Sequence, residues 1–414
     1  MQTKLSQVNL KSKLPTRFQK YASFGVIPKL FFLPIAVFFV ALIFMTRPFI
    51  KIQIYSLDWQ IGHLIPMCHA NELRDKTWNK NHRRKKVSVY CMNGPIASRY
   101  AIRKLRESVL CCRGHFAWLL IQISKFVPLI HVYFSDDRDF GTNFESTPLV
   151  KFNKSEIELG TNLIGNYKPL VCLNVRDTAY NSFARHELGF PASDWTHRNS
   201  DIDTYRDAAT YLTKHGYSVF RMGARVEKSL TSNDSKIIDY AKNGMRSEFL
   251  DFYLARECHF AISTSSGWDE IPTMFHRPLL LVNHFDFLMT LSKSCLIYPK
   301  VFFDTVSERQ LSLNETVGLH LSGKTNQKKY SIEDFGIEVR DLSSEELVEA
   351  VTEMAQRVEG KFVETPEQKE MQAKLKHILS THPKLQPSPN YYPIRAQFAS
   401  CFLSRYPNFL DGLD

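Results

Sequence analysis

The chain has 414 residues, of which 44% are hydrophobic and 13% aromatic, and its formal net charge is +11. This composition excludes a disordered or collagen-like chain, and the length suits two domains better than one. Eight lysines and arginines and no acidic residue fall within residues 1–51. Because this basic excess flanks an apolar segment, it indicates an anionic membrane surface as partner and argues against nucleic acid.

Leu30–Met45 is an uninterrupted run of sixteen uncharged residues that contains Pro34. Spanning a bilayer takes roughly 20 apolar residues, so the run is borderline, and no small-residue cleavage site of a signal peptide follows it. We expect residues 1–50 to form a basic N-terminus with a single-pass or half-inserted anchor; a buried core helix is the alternative. Charge bias would place the N-terminus in the cytoplasm if the helix spans. The protein is then expected at the cytoplasmic face if bacterial, and as a lumenal type II protein if eukaryotic.

Residues 51–166 alternate between short apolar runs and helical spacing, which predicts a first α/β domain with a parallel sheet. The predicted strands are 51–56, 87–91 and 129–134, and the predicted helices are 64–74 and 98–110.

Residues 167–360 repeat this alternation with short connections, as in a doubly wound sheet. The predicted strands begin at Lys168, Ser218 and Cys258, and a fourth begins at Pro278. A capping box at Ser343 predicts a helix that ends at Gly360. Residues 361–414 are expected to form a helical tail.

The apolar run Cys258–Ile262 breaks abruptly into the small polar residues Ser263–Gly267. Four of them, Thr264, Ser265, Ser266 and Gly267, combine hydroxyls, backbone N–H groups and a helix start, which favours a phosphate site. Glu270, one helical turn further on, is a candidate acceptor for hydrogen bonds from ribose hydroxyls. The alternative is an ordinary tight strand-to-helix turn.

Charged residues also follow two other predicted strands of this half. Arg176 and Asp177 end the strand from Lys168, and Arg221 and Gly223 end the next one. Two arginines at one sheet edge can neutralise a diphosphate. The alternative is that each arginine forms an ion pair with an aspartate that ties loops together. Asp177 is also a candidate catalytic base.

Gly62 and His63 follow the first strand of the first domain. His63 is a candidate base for deprotonating an acceptor hydroxyl, with a purely structural histidine as the alternative.

Two further patterns resemble known motifs. Gly318–Thr325 fits G-x-x-x-x-G-K-T, but neither an apolar strand before it nor a helix after it is predicted, so the match is interpreted as accidental. Asp137 and Asp139 form a D-x-D triplet of the kind that holds a divalent ion on a donor diphosphate. The cysteines form no C-x-x-C pair. We expect no bound metal and no cofactor.

The series of motifs resembles a family of mainly bacterial glycosyltransferases with a GT-B-like arrangement. The resemblance covers most of Arg47–Gly360 and is strongest between Lys168 and Asn283. The segments that carry it are Arg47-Pro48, Ile61–Leu64, Val175–Tyr180, Arg198–Ile202 with Tyr205, Arg221–Gly223, Asp251 with Leu254 and Cys258, Ser265–Gly267, Pro278 with Asn283, and the helix Glu345–Gly360.

The resemblance implies two Rossmann-like domains that face a cleft, with the nucleotide-sugar donor on the C-terminal side. It implies sugar transfer to a lipid-linked or cell-surface glycan without a required metal, so the expected partners are a nucleotide sugar, a glycan or glycolipid acceptor and membrane lipid. Three alternatives stay open. They are a metal-dependent glycosyltransferase using Asp137 and Asp139, a sugar-modifying enzyme such as a pyruvyl transferase, and a non-catalytic, membrane-tethered glycan-binding protein.

Overall fold

The structure, a computed structural model, describes residues 26–57, 60–92, 96–127, 130, 132–134, 147–188, 196–291, 293–322, 332–382, 385 and 394–411. The strands in these ranges form a four-stranded, a seven-stranded and a three-stranded sheet. The two larger sheets are parallel and carry helices between their strands, so the predicted α/β class is confirmed.

The four-stranded sheet has the order β3-β2-β1-β4, and every pairing in it is parallel. Its strands are β1 (Ile50–Leu57), β2 (Lys85–Met92), β3 (Leu110–Arg113) and β4 (Val132–Phe134). The helices of this part are α1 (Val26–Thr46), α2 (Ile61–Asn81), α3 (Arg99–Arg106) and α4 (Gly114–Ser124).

The seven-stranded sheet has the order β14-β10-β9-β8-β5-β6-β7 and is parallel throughout. Strand β6 lies on one side of β5 and β8 on the other, so the strand order reverses beside β5, where open α/β sheets bind ligands. The strands are β5 (Leu170–Asn174), β6 (Ser218–Arg221), β7 (Ile237–Ile238), β8 (Phe260–Ser263), β9 (Leu279–His284), β10 (Leu296–Pro299) and β14 (Gln397–Phe398).

Several α-helices of this part begin at residues that cap helices well. Ser247 caps its helix by accepting from the Leu250 N–H, and Ser343 forms the predicted capping box with Glu346. The helices are α5 (Lys154–Ile164), α6 (Ala179–Leu188), α7 (Arg206–Lys214), α8 (Glu248–Glu257), α9 (Glu270–Met274), α10 (Leu313–Leu321), α11 (Ser344–Val358), α12 (Pro366–Thr381) and α13 (Ser400–Arg405).

The C-terminal segment after Gly360 is integrated into the seven-stranded sheet. It supplies the edge strand β14, and its buried residues Leu375, Phe398 and Phe402 belong to the same apolar core as β5 and β8. The segment is therefore more than the helical tail that its polar sequence predicts, because a two-residue strand leaves no periodic pattern to read.

The three-stranded sheet is antiparallel and was not predicted. It consists of β11 (Val301–Asp304), β12 (Arg309–Gln310) and β13 (Ile337–Arg340) in the order β12-β11-β13. Helix α10 follows β12 and contains Gly318. A P-loop needs a strand directly before its first glycine, so the helix supports an accidental match at Gly318; the last residues of that match lie outside the described ranges.

An apolar cluster joins the helices of the two large sheets. Helix α2 packs against α9, and α3 packs against α8. The cluster's buried members are Ile65, Tyr100, Ala101, Val150, Phe252, Ala255, Ile271 and Met274. This contact brings the first turn of α2 close to the loop after β8.

Helix α1 lies against α4. Its residues Ala36, Val40 and Ile43 are buried at helical spacing, and the last two share a cluster with α4 residues. Much of the opposite surface is exposed, including Phe31, 68% accessible. By length and composition α1 is able to cross a membrane, although a core helix or a signal sequence would meet the same criterion. The predicted apolar helix at 30–45 is confirmed, and its relation to a membrane stays a prediction.

Candidate functional site

The loops that follow β5 and β8 are joined by hydrogen bonds where the strand order reverses. The Arg176 N–H donates to the Thr264 hydroxyl at 2.9 Å, and the Thr264 N–H donates to the Asn174 carbonyl at 3.2 Å. Thr264 is buried, so its hydroxyl holds the two loops together. The structure gives this residue a role within the fold, and its predicted contact with a ligand stays a prediction.

The loop after β8 is held in shape by a capping box. Asp269 accepts from the Ser266 N–H at 2.8 Å, and the Ser266 hydroxyl accepts from the Trp268 N–H at 3.1 Å. The helix beyond it is short, since a 3₁₀ turn at Gly267–Asp269 leads into the five residues of α9. The predicted strand, polar loop and helix are therefore present. The helix dipole of so short an element is too small to form the phosphate site alone.

Ser265 stands at the tip of this loop in a left-handed backbone conformation, with φ of +66°. The Arg198 guanidinium donates from Nη2 to the Ser265 carbonyl at 3.1 Å and lies 3.4 Å from its hydroxyl. A non-glycine residue in this region stores strain that its surroundings must offset. Arg198 provides part of that support.

Arg176 and Arg198 form a pair of like charges beside the loop. The pKa of Arg176 is lowered to about 10, chiefly by burial and in addition by the positive charge of Arg198, while Asp286 opposes the shift. Asp286 lies 3.5 Å from Arg198 Nε, and burial raises the pKa of this aspartate. Within the described part of the chain no carboxylate lies within 4 Å of the Arg176 guanidinium. Among the described residues, Arg176, Arg198 and Asp286 thus lie together beside the loop, and guanidinium groups at such a position suit an anion.

The first turn of α2, which belongs to the part with the four-stranded sheet, contacts the loop after β8 of the seven-stranded sheet. A Cβ built on Gly62 would lie 2.6 Å from the Gly267 Cα, and one built on Gly267 would lie 3.0 Å from the Gly62 nitrogen. Only glycine fits on either side of so close a backbone contact. His63 follows Gly62 directly and is half-buried, so the structure brings this predicted base next to the predicted phosphate loop.

Asp177 and Arg221 lie in a second group between the ends of β5 and β6. Asp177 accepts hydrogen bonds from the backbone N–H groups of Ala179 at 3.0 Å and Glu227 at 2.8 Å. Arg221 is fully buried, with Nη1 3.4 Å from Asp239 and Nη2 3.9 Å from Asp177. Burial lowers its pKa. This geometry fits the second interpretation of Arg221, in which the arginine forms ion pairs with aspartates and ties loops together, better than a diphosphate contact.

A cavity of about 320 Å³ opens beside this second group. Its charged lining includes Asp177, Arg221 and Lys228. Gly223 follows Arg221 with φ of +146°, and a Cβ there would lie 2.4 Å from Val226 Cγ1. The glycine therefore allows the chain to turn at the rim of this cavity.

Glu270 is buried and forms an ion pair with Lys293. We expected this carboxylate to be presented to ribose hydroxyls. The structure argues against that expectation, because Glu270 is buried and its carboxylate is already paired with the Lys293 ammonium group.

The sequence interpretation missed Arg198 and Asp286 as site residues. Arg198 lies in a short 3₁₀ turn that follows no strand, so the rule used for Arg176 did not select it. Asp286 comes two residues after β9, where the same strand-end rule would have found it. Asn199, next to Arg198, accepts from Arg176 Nε at 3.3 Å and links the two arginines.

No cluster of three or more His, Cys, Asp or Glu side chains suited to a metal ion occurs in the ranges that the structure describes. The D-x-D pair Asp137 and Asp139 lies outside these ranges.

Comparisons with known proteins give likenesses of fold only. No protein-family profile and no curated protein sequence matches the chain. Three similar solved structures are a glycosyl transferase family 9 protein from Veillonella parvula (11% identity, TM-score 0.39, 73% of this chain and 96% of that one), the E. coli ADP-heptose LPS heptosyltransferase II (12%, 0.34, 59% and 89%), and the dodecameric iron-containing heptosyltransferase TibC in complex with ADP-D-β-D-heptose (12%, 0.33, 57% and 58%). At these scores the likenesses carry no argument about activity.

Proposed function

We propose that the protein is a glycosyltransferase that moves a sugar from a nucleotide-sugar donor to a lipid-linked or cell-surface glycan. The observation that carries the proposal is the half-buried pair Arg176 and Arg198, which lies beside the Ser265 loop at the point where the strand order reverses. A diphosphate is a compact anion that guanidinium groups bind in a forked geometry. The motif series read from the sequence supports the same class.

The chemistry that the arginine pair would perform is stabilisation of the leaving group. In sugar transfer the bond between the anomeric carbon and the diphosphate oxygen breaks, and negative charge grows on that oxygen. Fixed guanidinium groups in a partly buried site stabilise such charge without reorganising. Arg176 and Arg198 would do this directly, so the proposed reaction requires no metal.

His63 is the proposed base, with Asp177 as the second candidate. His63 belongs to the helix turn that contacts Gly267, so it comes from the opposite sheet and would face the donor sugar with the acceptor hydroxyl between. Asp177 already accepts two backbone N–H groups and lies near Arg221. These contacts engage both of its carboxylate oxygens, which makes it a weaker candidate for accepting a proton from the acceptor.

The cavity of about 320 Å³ is the proposed position for hydroxyl-bearing parts of the donor. The cavity is lined by Asp177, the residue that directly follows Arg176. Its lining also includes the polar groups of Asn199 and Asp201. Carboxylate and amide oxygens accept hydrogen bonds from ribose or sugar hydroxyls. The proposed arrangement has residues 51–166 on the acceptor side and 167–360 on the donor side, facing each other as two domains.

A nucleotide-sugar panel tests the proposal. Full-length protein in detergent is heated with UDP-, GDP-, CMP-, TDP- and ADP-sugars, and a ligand that binds the native state raises Tm. We expect one nucleotide class to raise Tm, and Arg176→Ala to abolish the rise. The control is Arg206→Ala, because Arg206 is exposed and pairs with Asp203. If no nucleotide sugar stabilises the protein while a glycan does, the glycan-binding alternative is correct.

A further inference from the structure

A second arginine-rich site lies on the first sheet, away from the candidate functional site. A cavity of about 400 Å³ is formed by one face of α3 and the end of β3. Its lining residues are Ile96, Arg99, Ile102, Arg103, Arg106, Glu107 and Arg113. Four of the seven are arginines, and nothing in the proposed glycosyl transfer uses them.

The positive charge of this cavity is largely uncompensated. Glu107, its one acidic residue, already pairs with Lys104 at 3.0 Å, and Arg103 lies 3.8 Å from Glu156. For Arg99, Arg106 and Arg113, the described residues place no carboxylate within 4 Å of the guanidinium. Guanidinium groups that converge without carboxylates favour phosphate, which they bind through paired N–H donors.

The cavity adjoins the apolar face formed by α1 and α4. Arg113 directly precedes Gly114, the first residue of α4, and the Phe116 ring packs on Phe39 of α1 with centroids 5.5 Å apart. On the same face Trp118 is 37% exposed, with Lys29 Nζ 4.6 Å from its ring centre. Tryptophan and lysine are both typical anchors at a membrane–water boundary.

The way α1 is packed indicates how this face meets a membrane. Contacts with α4 run from Lys29 to Ile43, about 21 Å of a helix at 1.5 Å per residue. A bilayer core is about 30 Å thick. A helix held against the sheet over most of that length would draw α4 into the hydrocarbon if it spanned. Helix α1 is therefore better suited to lie in the membrane–water interface. In that position the arginine-lined cavity is at the depth of the lipid headgroups.

We propose that the arginine-lined cavity of Arg99, Arg103, Arg106 and Arg113 binds the phosphate of an anionic membrane lipid. The site would orient the protein on the membrane after α1 has attached it. Headgroup phosphate provides the missing negative charge, and the apolar face beside the cavity makes a lipid the source favoured over a soluble phosphate ester. The proposal concerns lipid binding alone and does not depend on glycosyl transfer.

Vesicle flotation of the full-length protein tests this proposal. Binding is compared on phosphatidylcholine vesicles with and without phosphatidylglycerol, for Arg106→Gln/Arg113→Gln and the matched control Arg83→Gln/Arg84→Gln. The control residues are exposed and lie on the basic loop before β2, so both variants lose equal charge. We expect the gain in affinity from phosphatidylglycerol to fall about tenfold or more in the cavity variant and to change little in the control.

The outcomes separate the possible sources of phosphate. Equal losses in both variants would overturn the site in favour of diffuse surface charge. Glycerol 3-phosphate and inorganic phosphate are titrated against the same proteins. If they bind the wild type in a way that depends on Arg106 and Arg113, while vesicle binding does not, the lipid is overturned as the ligand. Circular dichroism melting of each variant verifies folding, and intact folding is expected because Arg106 and Arg113 are exposed.

Discussion

Two arginines that occupy equivalent places in the sequence have different environments in the structure. Arg221 is the last residue of β6 and Arg176 lies two residues after β5, and the sequence pattern gives both the same role. Arg221 is fully buried between Asp239 and Asp177, whereas Arg176 has Arg198 as its charged neighbour. The difference arises because a side chain's charge balance depends on residues distant in sequence.

Replacing Arg221 with alanine tests its assignment as a structural residue. Loss of the guanidinium leaves Asp239 and Asp177 without their buried partner, so we expect the free energy of unfolding to fall by about 3 kcal/mol. Urea unfolding measures this change. Nucleotide affinity of the folded fraction should be retained. If the variant keeps its stability but loses nucleotide affinity, Arg221 binds the diphosphate and the structural assignment is wrong.

The contact between Gly62 and Gly267 gives a second prediction at this scale. Gly62→Ala places a methyl group 2.6 Å from the Gly267 Cα, so the helix and the loop must separate. We expect a loss of about 1–3 kcal/mol in stability. Gly318→Ala is the control: it also lies inside a helix but has open space around its Cβ, so a small gain is expected. Thermal unfolding of both variants gives the comparison.

At the scale of elements, the sequence predicted those with strong periodic patterns. Strand β2 was expected at 87–91 and occupies Lys85–Met92, and α11 begins at its predicted capping box. The helix expected over 98–110 ends at Arg106, and the unpredicted strand β3 starts at Leu110. Val109 keeps the apolar helical spacing of Leu105, so the pattern alone could not separate the end of a helix from a short edge strand.

Helix α2 contains a histidine that should make stability depend on pH. His69 Nε2 accepts from the Leu149 N–H at 3.1 Å, and burial lowers the pKa of His69 to about 4. Between pH 6.5 and 4 the unfolded chain therefore binds a proton that the folded chain does not. Stability should fall as pH decreases through this window, by about 3 kcal/mol for this group.

His69→Gln tests whether His69 causes the expected loss of stability at acidic pH. Glutamine offers a hydrogen-bond acceptor that does not titrate, so the variant's unfolding free energy should depend less on pH between 6.5 and 4. Urea unfolding at a series of pH values gives the slope. An unchanged slope would show that His69 is charged in the folded protein or that other groups dominate.

The packing of α1 on α4 predicts opposite effects on the two sides of α1. Val40 is buried against α4 and Phe38 is 60% exposed. Val40→Asp buries an unpaired charge and should lower Tm in detergent by several degrees. Phe38→Asp should leave Tm unchanged and weaken vesicle binding. If both variants leave Tm unchanged, α1 is not held by the sheet.

For the whole molecule, the rule that ligands bind at the carboxyl ends of parallel strands selected the candidate site region from the sequence. It selected Arg176 and the Ser265 loop, which the structure brings together. It could not tell that Glu270 would be covered by Lys293, nor that Arg198 would reach the loop from an irregular segment. Both facts depend on the three-dimensional course of loops, which leaves no periodic signal in a sequence.

The proposed sugar transfer is expected to proceed without a metal ion. Because Arg176 and Arg198 would stabilise the leaving diphosphate, sugar transfer should persist in excess EDTA, and Asp137→Asn/Asp139→Asn should retain activity. Transfer from the donor identified by the panel is measured with and without chelator. Loss of activity that added Mn²⁺ or Mg²⁺ restores would support the metal-dependent alternative.

The most direct test of the central claim is the affinity of the full-length protein for a nucleoside diphosphate relative to the matching monophosphate. Calorimetric titration measures both ligands for the wild type and for Arg176→Ala. The second phosphate contributes charge-assisted hydrogen bonds to the arginine pair, so the wild type should prefer the diphosphate by about tenfold or more. Arg176→Ala should remove most of that preference. A preference that persists in the variant, or the absence of nucleotide binding, would contradict the account.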